Sequence, residues 1–227
     1  MIIINGKKIV LYLSITAILL IIANIVMLIA YFTINNPDKF DFIQMVDLDQ
    51  EANLPTLFSS ALFFISASLF FLIYQNEKKT YNKDYRYWLG LAWICIFLAF
   101  DESAQIHETI GDFSEKYLSH FAHGIFFYPW LIIYLPLVLI FLFLYVRFLF
   151  HLKKEIAFRF IVAAIIYLSG AVFFEMLGAK EADLHGDDTI LYCILYTIEE
   201  SLEMFGVIYL ISIQFKLLKD KVMKIVA

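Results

Sequence analysis

The stretch Ile9–Phe32, IVLYLSITAILLIIANIVMLIAYF, runs for 24 residues without a charge. At about 1.5 Å of rise per residue, a helix of that length exceeds the ~30 Å hydrocarbon core of a bilayer. It is too long for a signal-peptide core and no small-residue cleavage site follows it, so it reads as a retained membrane helix. Five more apolar runs follow, at roughly 56–75, 86–107, 125–149, 158–178 and 189–214. With 62% hydrophobic and 18% aromatic residues and a mean hydropathy of +0.79, the expected fold is all-α, a polytopic membrane bundle of six transmembrane helices. No repeat, low-complexity tract or long linker interrupts it, so residues 1–227 are expected to form a single transmembrane helical domain.

Basic residues orient the bundle. Lys7 and Lys8 precede the first run, Lys78, Lys79, Lys83 and Arg86 separate the second from the third, and Arg147, Lys153, Lys154 and Arg159 separate the fourth from the fifth. Lys216, Lys219, Lys221 and Lys224 follow the sixth, and the opposite side holds only Lys39, Lys116 and Lys180. The positive-inside rule then makes the basic side, with both termini, cytoplasmic. An even number of spans is required, in agreement with the six apolar runs. The acids sort the other way: Asp38, Asp41, Asp47, Asp49 and Glu51 in the first outer loop, Asp112 and Glu115 in the second, Glu181, Asp183, Asp187 and Asp188 in the third. These loop acids read as a solvated acidic face. The net charge of -5 thus hides a dipole across the membrane, and scattered basic flanks argue against a nucleic-acid partner.

Three apolar segments carry acids that a membrane helix normally lacks: Asp101 and Glu102 with His107 and Glu108, Glu175 alone, and Glu199, Glu200 and Glu203. No Lys or Arg lies within these segments. An ionisable group in a bilayer costs on the order of 2.5–3.5 kcal/mol on insertion scales, so such groups face a cavity, a partner or an ion. At about 100° per residue, Asp101, Gln105, Glu108 and Asp112 form one stripe of a continuous helix, while Ser103 and His107 fall on another face roughly 200–240° away. Tyr196, Glu199, Glu200 and Glu203 share one sector of about 100°, opposite Ile194, Ser201 and Leu202. Glu199 and Glu203, at i and i+4, suit paired metal ligands.

Acids with a histidine and no basic partner leave protons or a metal cation to supply the missing charge. Asp101, His107, Glu108, Glu175, Glu199 and Glu203 are the candidate metal ligands, with Glu102 and Glu200 as candidate catalytic bases. A mixed set of this kind suits a divalent Zn, Fe or Mn ion. His120 and His123 re-enter the membrane on the outer side and one of them is a further candidate; His185 reads as a loop residue, and His151 belongs to the cytoplasmic side. Neither the Glu-x-x-His pairs of di-iron bundles nor a His-Glu-x-x-His motif is present. Ser103, like most serines in membrane helices, is expected to bond its own backbone. Cys95 and Cys193 read as free buried thiols.

The segment Asp49-Gln50-Glu51-Ala52-Asn53-Leu54-Pro55-Thr56, the Asp101-Glu102 to His107-Glu108 motif and Glu199-Glu200-Ser201-Leu202-Glu203 together resemble a group of uncharacterised bacterial multi-pass membrane proteins. That likeness covers most of the chain; it implies a cell-membrane location, a bacterial inner membrane, and brings no activity. A much weaker likeness is to the alkaline-ceramidase and adiponectin-receptor-like membrane hydrolases, through Ser103-Ala104-Gln105-Ile106-His107. Those proteins hold zinc with a His-x-x-x-His pair on a seventh helix, where this chain has Glu199-x-x-x-Glu203 on a sixth span. The expectation is a metal-dependent membrane hydrolase open to the outer face and acting on a lipid-like substrate. A cation or proton transporter and a non-catalytic subunit or assembly factor are the alternatives.

Overall fold

The computed structural model describes residues 5–33 and 44–226, with side chains through residue 219. The expected outer-loop residues Asp38, Lys39 and Asp41, and the side chains of Asp220, Lys221 and Lys224, lie outside the described residues. Among the described residues every regular element is helical: α1 (Gly6–Thr33), α2 (Leu54–Lys79), α3 (Tyr85–Ala104), α4 (Ile106–Leu118), α5 (Trp130–His151), α6 (Lys154–Leu168), α7 (Glu175–His185) and α8 (Ile190–Val226). A 3₁₀ turn, Gly124–Phe126, precedes α5, and a π-helical segment, Ser169–Phe174, joins α6 to α7 in one continuous rod. Six helices are long and apolar enough to cross a membrane: α1, α2, α3, α5, the Lys154–His185 rod and α8. His185 closes α7 rather than sitting in the following loop, and its Nδ1 lies 3.0 Å from Glu181.

Local chemistry sets the boundaries. α2 begins where the Asn53 side chain accepts a hydrogen bond from the Thr56 amide at 3.1 Å, with Pro55 in the first turn, where a missing N–H costs nothing. α3 ends at Gln105, whose left-handed backbone (φ 52°, ψ 44°) breaks the helix before α4 starts.

α8 is the axis of the bundle. It packs against α1, α2, α6, the π-helical segment and α7, while α2 lies along α3. Without a hydrophobic driving force between helices in lipid, close approach through small residues has to supply the packing. At Gly206 an added Cβ would come within 2.8 Å of the Tyr167 backbone nitrogen, and at Gly170 within 2.6 Å of the Glu199 carbonyl. Phe70, Trp88, Phe148 and Phe160 cluster with ring centroids 4.9–6.3 Å apart, Phe70 stacked on Phe160 and Trp88 edge-on to Phe148. Leu19 and Ile29 of α1 and Leu139 and Phe143 of α5 are exposed, as lipid-facing residues are.

Contacts gather the basic flanks at one end. Lys216 on α8 bonds Glu155 at the start of α6 (2.8 Å), His151 at the end of α5 meets Asp84 before α3 (3.0 Å), and Gly6 lies against Phe215. Cys95 and Cys193 are free and buried, Cys95 with its sulfur 3.6 Å from the Ser66 hydroxyl.

Asn24 pins the opposite end. Fully buried in α1, it donates to the Thr197 hydroxyl at 3.0 Å and accepts from the Leu48 amide at 3.1 Å. Asn24→Leu leaves that amide unpaired and is expected to cost about 1–3 kcal/mol. Thermal unfolding in detergent should show the loss; an unchanged midpoint would mean the loop holds without this anchor.

Candidate functional site

The segment 44–53 folds back into the acidic end of the bundle. The Asn53 amide nitrogen donates to the carbonyls of Gln44 (3.0 Å) and Asp47 (2.6 Å), and Ala52 takes a left-handed backbone (φ 58°). From α8, the Tyr196 hydroxyl donates to Asp47 Oδ1 at 3.1 Å and the Tyr192 hydroxyl to Asp49 Oδ1 at 2.8 Å. Tyr192 also contacts the Tyr128 hydroxyl at 3.0 Å. Burial pushes the Asp49 carboxyl up to about 7 despite the opposing Tyr192 bond, and burial also raises Asp47. Asp47, Asp49 and Glu51 are thus not the solvated face expected from their loop: tyrosine donors and the Asn24 anchor draw them inward.

The break at Gln105 also corrects the facial geometry. The stripe from Asp101 to Asp112 assumed one continuous helix; the turn is reset at Gln105, and Asp101, Glu108 and Asp112 line one cavity from two helices, without Gln105. Asp101 and His107, expected on different faces, meet instead: His107 Nδ1 lies 3.4 Å from Asp101 Oδ2, and His107 Nε2 lies 3.3 Å from Glu51 Oε1. The Tyr134 hydroxyl donates to the other Asp101 oxygen at 2.7 Å, and the Trp130 ring stands edge-on to the imidazole at 5.0 Å. Burial alone would lower the His107 pKa; the hydrogen bonds and charges of Asp101 and Glu51 outweigh it and push it up to about 10. Partial loss of solvent and the Glu51 charge raise the neighbouring Glu108.

The third side comes from α8 and the rod facing it. A π-helical turn inside an α-helix shifts the residues beyond it and recurs at functional sites. Here it seats Gly170 against the α8 backbone at Glu199 and Glu203, and it ends just before Glu175, which lies close to Glu199. Glu203 lies near Tyr167 and Glu102, and Glu102 lies near Ser59 and Glu51.

All eight predicted site residues, Asp101, Glu102, His107, Glu108, Glu175, Glu199, Glu200 and Glu203, line one cavity of about 540 Å³. The shared sector of Tyr196, Glu199, Glu200 and Glu203 faces it as the helical arithmetic required, with Ile194 exposed on the far side. Within the cavity wall, ligand atoms of Glu51, His107 and Glu108 can lie within 4.8 Å of one another, as can those of Glu199, Glu200 and Glu203. Asp49, Glu51, Tyr128, Trp130 and Tyr134 join the lining without having been singled out as site residues. The nearest signal for the first two was position, since Glu51 stands two residues before the Asn53 cap of a membrane helix. His120 and His123 do not line the cavity, and His123 lies 4.0 Å from Asp183 instead. The Ser103 hydroxyl bonds the Ala99 carbonyl at 2.9 Å and is not part of the wall.

Six helices long and apolar enough to cross a membrane, five of which line one carboxylate-rich cavity, define an integral membrane protein with a polar site between its helices. Residues 12–217 match a domain of unknown function, DUF8692, and the chain belongs to that family. No curated protein and no solved structure matches it.

Proposed function

We propose that this protein is a membrane-embedded, metal-dependent hydrolase whose cavity opens to the outer face and admits a lipid-like substrate. The observation that carries the reading is His107 held by Asp101 through Nδ1, with Nε2 turned toward Glu51 and Glu108 alongside. A histidine ligand usually donates its second ring N–H to a carboxylate that fixes its tautomer and orientation. Asp101, itself fixed by Tyr134, fills that role, so it positions the histidine and leaves Glu51, His107 and Glu108 as the ligand set. Glu51 Oε2 is buried without a hydrogen-bond partner, an oxygen with a vacant lone pair for a cation. A mixed N/O set fits Zn, Fe or Mn, and such an ion supplies Lewis acidity toward a carbonyl and toward water. Glu102, between the His107 group and the α8 acids, is placed to take a proton from water; Glu175, Glu199, Glu200 and Glu203 form the far wall.

Transport is less well supported. Beyond Glu203 the buried face of α8 continues through Met204, Val207, Ile208 and Ile211, which carry no side-chain oxygen, before Gln214 bonds Ser66 further along.

Purified without chelator, the protein is expected to hold about one equivalent of a transition metal per chain. Elemental analysis tests this. Glu51→Gln should reduce the metal content to background, whereas Glu199→Ala/Glu203→Ala should retain most of it if the histidine group is the primary site. Metal-free wild-type protein that also takes up no added Zn, Mn or Fe would sink the proposal.

A further inference from the structure

We infer that the substrate of this cavity is an amphiphile with a cationic amine head and an apolar chain that leaves between α5 and α6. The inference rests on the hydrolase reading only in taking the cavity as a substrate site.

Charge selects the head. Among the described residues, eleven Asp and Glu side chains line the cavity against one histidine and no Lys or Arg. Carboxyl oxygens accept hydrogen bonds from an ammonium head and, where ionised, attract it, whereas ionised carboxylates repel a phosphate, sulfate or carboxylate head. One divalent ion at the His107 group leaves the α8 acids unmatched. Glu199, Glu200 and Glu203 can bring three oxygens within 4.8 Å of one another. Three acceptors on one ammonium at ~2.8 Å would stand about 4.6 Å apart by tetrahedral geometry, so this spacing suits an –NH₃⁺ group. Tyr128, Trp130, Tyr134 and Tyr196 around the same cavity offer aromatic rings, which attract ammonium cations.

The chain is assigned from the remaining wall. Leu98, Leu135, Val138, Leu168, Ala171 and Val172, from α3, α5, α6 and the π-helical segment, are apolar residues of the cavity lining. α5 is held at its two ends. Tyr134 bonds Asp101 at one, and Tyr145 and Phe148 pack on Tyr87 and Trp88 at the other. Leu135 and Val138 lie between those anchors, facing the cavity, while Leu137, Leu139 and Ile140 of the same turns are exposed toward lipid. A chain lying along Leu135, Val138, Leu168 and Val172 therefore passes from the acids into the bilayer with no polar surface to cross.

Photoreactive dodecylamine and dodecyl phosphate, each with a diazirine on the chain, test this in zwitterionic nanodiscs holding the full-length protein. Peptide mapping should place the amine label on α5 and α6 around Leu135, Val138, Leu168 and Val172, at least tenfold more than the phosphate label. Unlabelled dodecylammonium should compete, and methylammonium at the same concentration should not. Glu200→Gln/Glu203→Gln should reduce labelling at least tenfold while leaving the unfolding midpoint in place. Equal or stronger phosphate labelling, or amine label spread evenly over α1 and the outer face of α5, overturns the inference in the wild-type protein alone. A parallel run in chelator separates the two proposals. Amine labelling that survives in a protein shown to bind no metal keeps the amphiphile and removes the metal enzyme. Stoichiometric metal with phosphate-preferring labelling does the reverse.

Discussion

His107→Ala is expected to lower metal affinity by more than about a hundredfold, the largest functional effect of any single change in the cavity. Among the described residues the imidazole is the only nitrogen ligand in the wall, and without it the site retains oxygen donors, which favour Mg or Ca over Zn or Fe. The variants around it should fall in a graded order. Asp101→Asn keeps the shape but weakens the hold on Nδ1, and a lost outer-shell partner typically costs 10- to 100-fold. Tyr134→Phe removes one bond to Asp101 and should cost less again. Competition titration against a chromophoric chelator measures all three. An Asp101→Asn variant as impaired as His107→Ala would make Asp101 a direct ligand. A His107→Ala variant that binds Zn like the wild type would move the metal to the α8 acids.

What the sequence revealed here followed from local rules, and what it concealed required knowing where a helix stops. The six spans and the side of the basic flanks follow from run length and charge, which need no tertiary contact. The α8 face was legible because that helix is unbroken from Ile190, so 100° per residue holds from Tyr196 to Glu203. The same arithmetic failed between Asp101 and His107, because Gln105 adopts a left-handed turn without a glycine to announce it. Glu51 was concealed for another reason. Its inward course depends on Asn24, 27 residues earlier, and on Tyr192 and Tyr196, some 140 residues later, a long-range coincidence that no local pattern carries. The π-helical turn at Ser169–Phe174 was equally silent, although it decides that Glu175 faces Glu199.

That turn carries the second large expectation, which concerns stability. Gly170→Ala would place a Cβ 2.6 Å from the Glu199 carbonyl and 2.8 Å from Glu203 Cγ, and Gly206→Ala would place one 2.8–2.9 Å from the Tyr167 backbone. Neither carbonyl nor backbone can swing aside as a side-chain tip could, so the rod and α8 must separate, at a cost of about 1–3 kcal/mol for overpacking of this kind. Gly178→Ala is the control. Its Cβ meets only the Tyr192 ring at an ordinary 3.7 Å, and inside a helix alanine gains up to about 1 kcal/mol over glycine. Unfolding midpoints in detergent should therefore fall for the first two variants and hold or rise for the third. Gly170→Ala should also weaken binding in the cavity, because the atoms it displaces belong to Glu199 and Glu203. Gly206, three residues further along α8, tests the packing with less effect on those acids. If Gly170→Ala and Gly178→Ala unfold alike, the close crossing of the π-helical segment and α8 does not hold the far wall of the cavity in place.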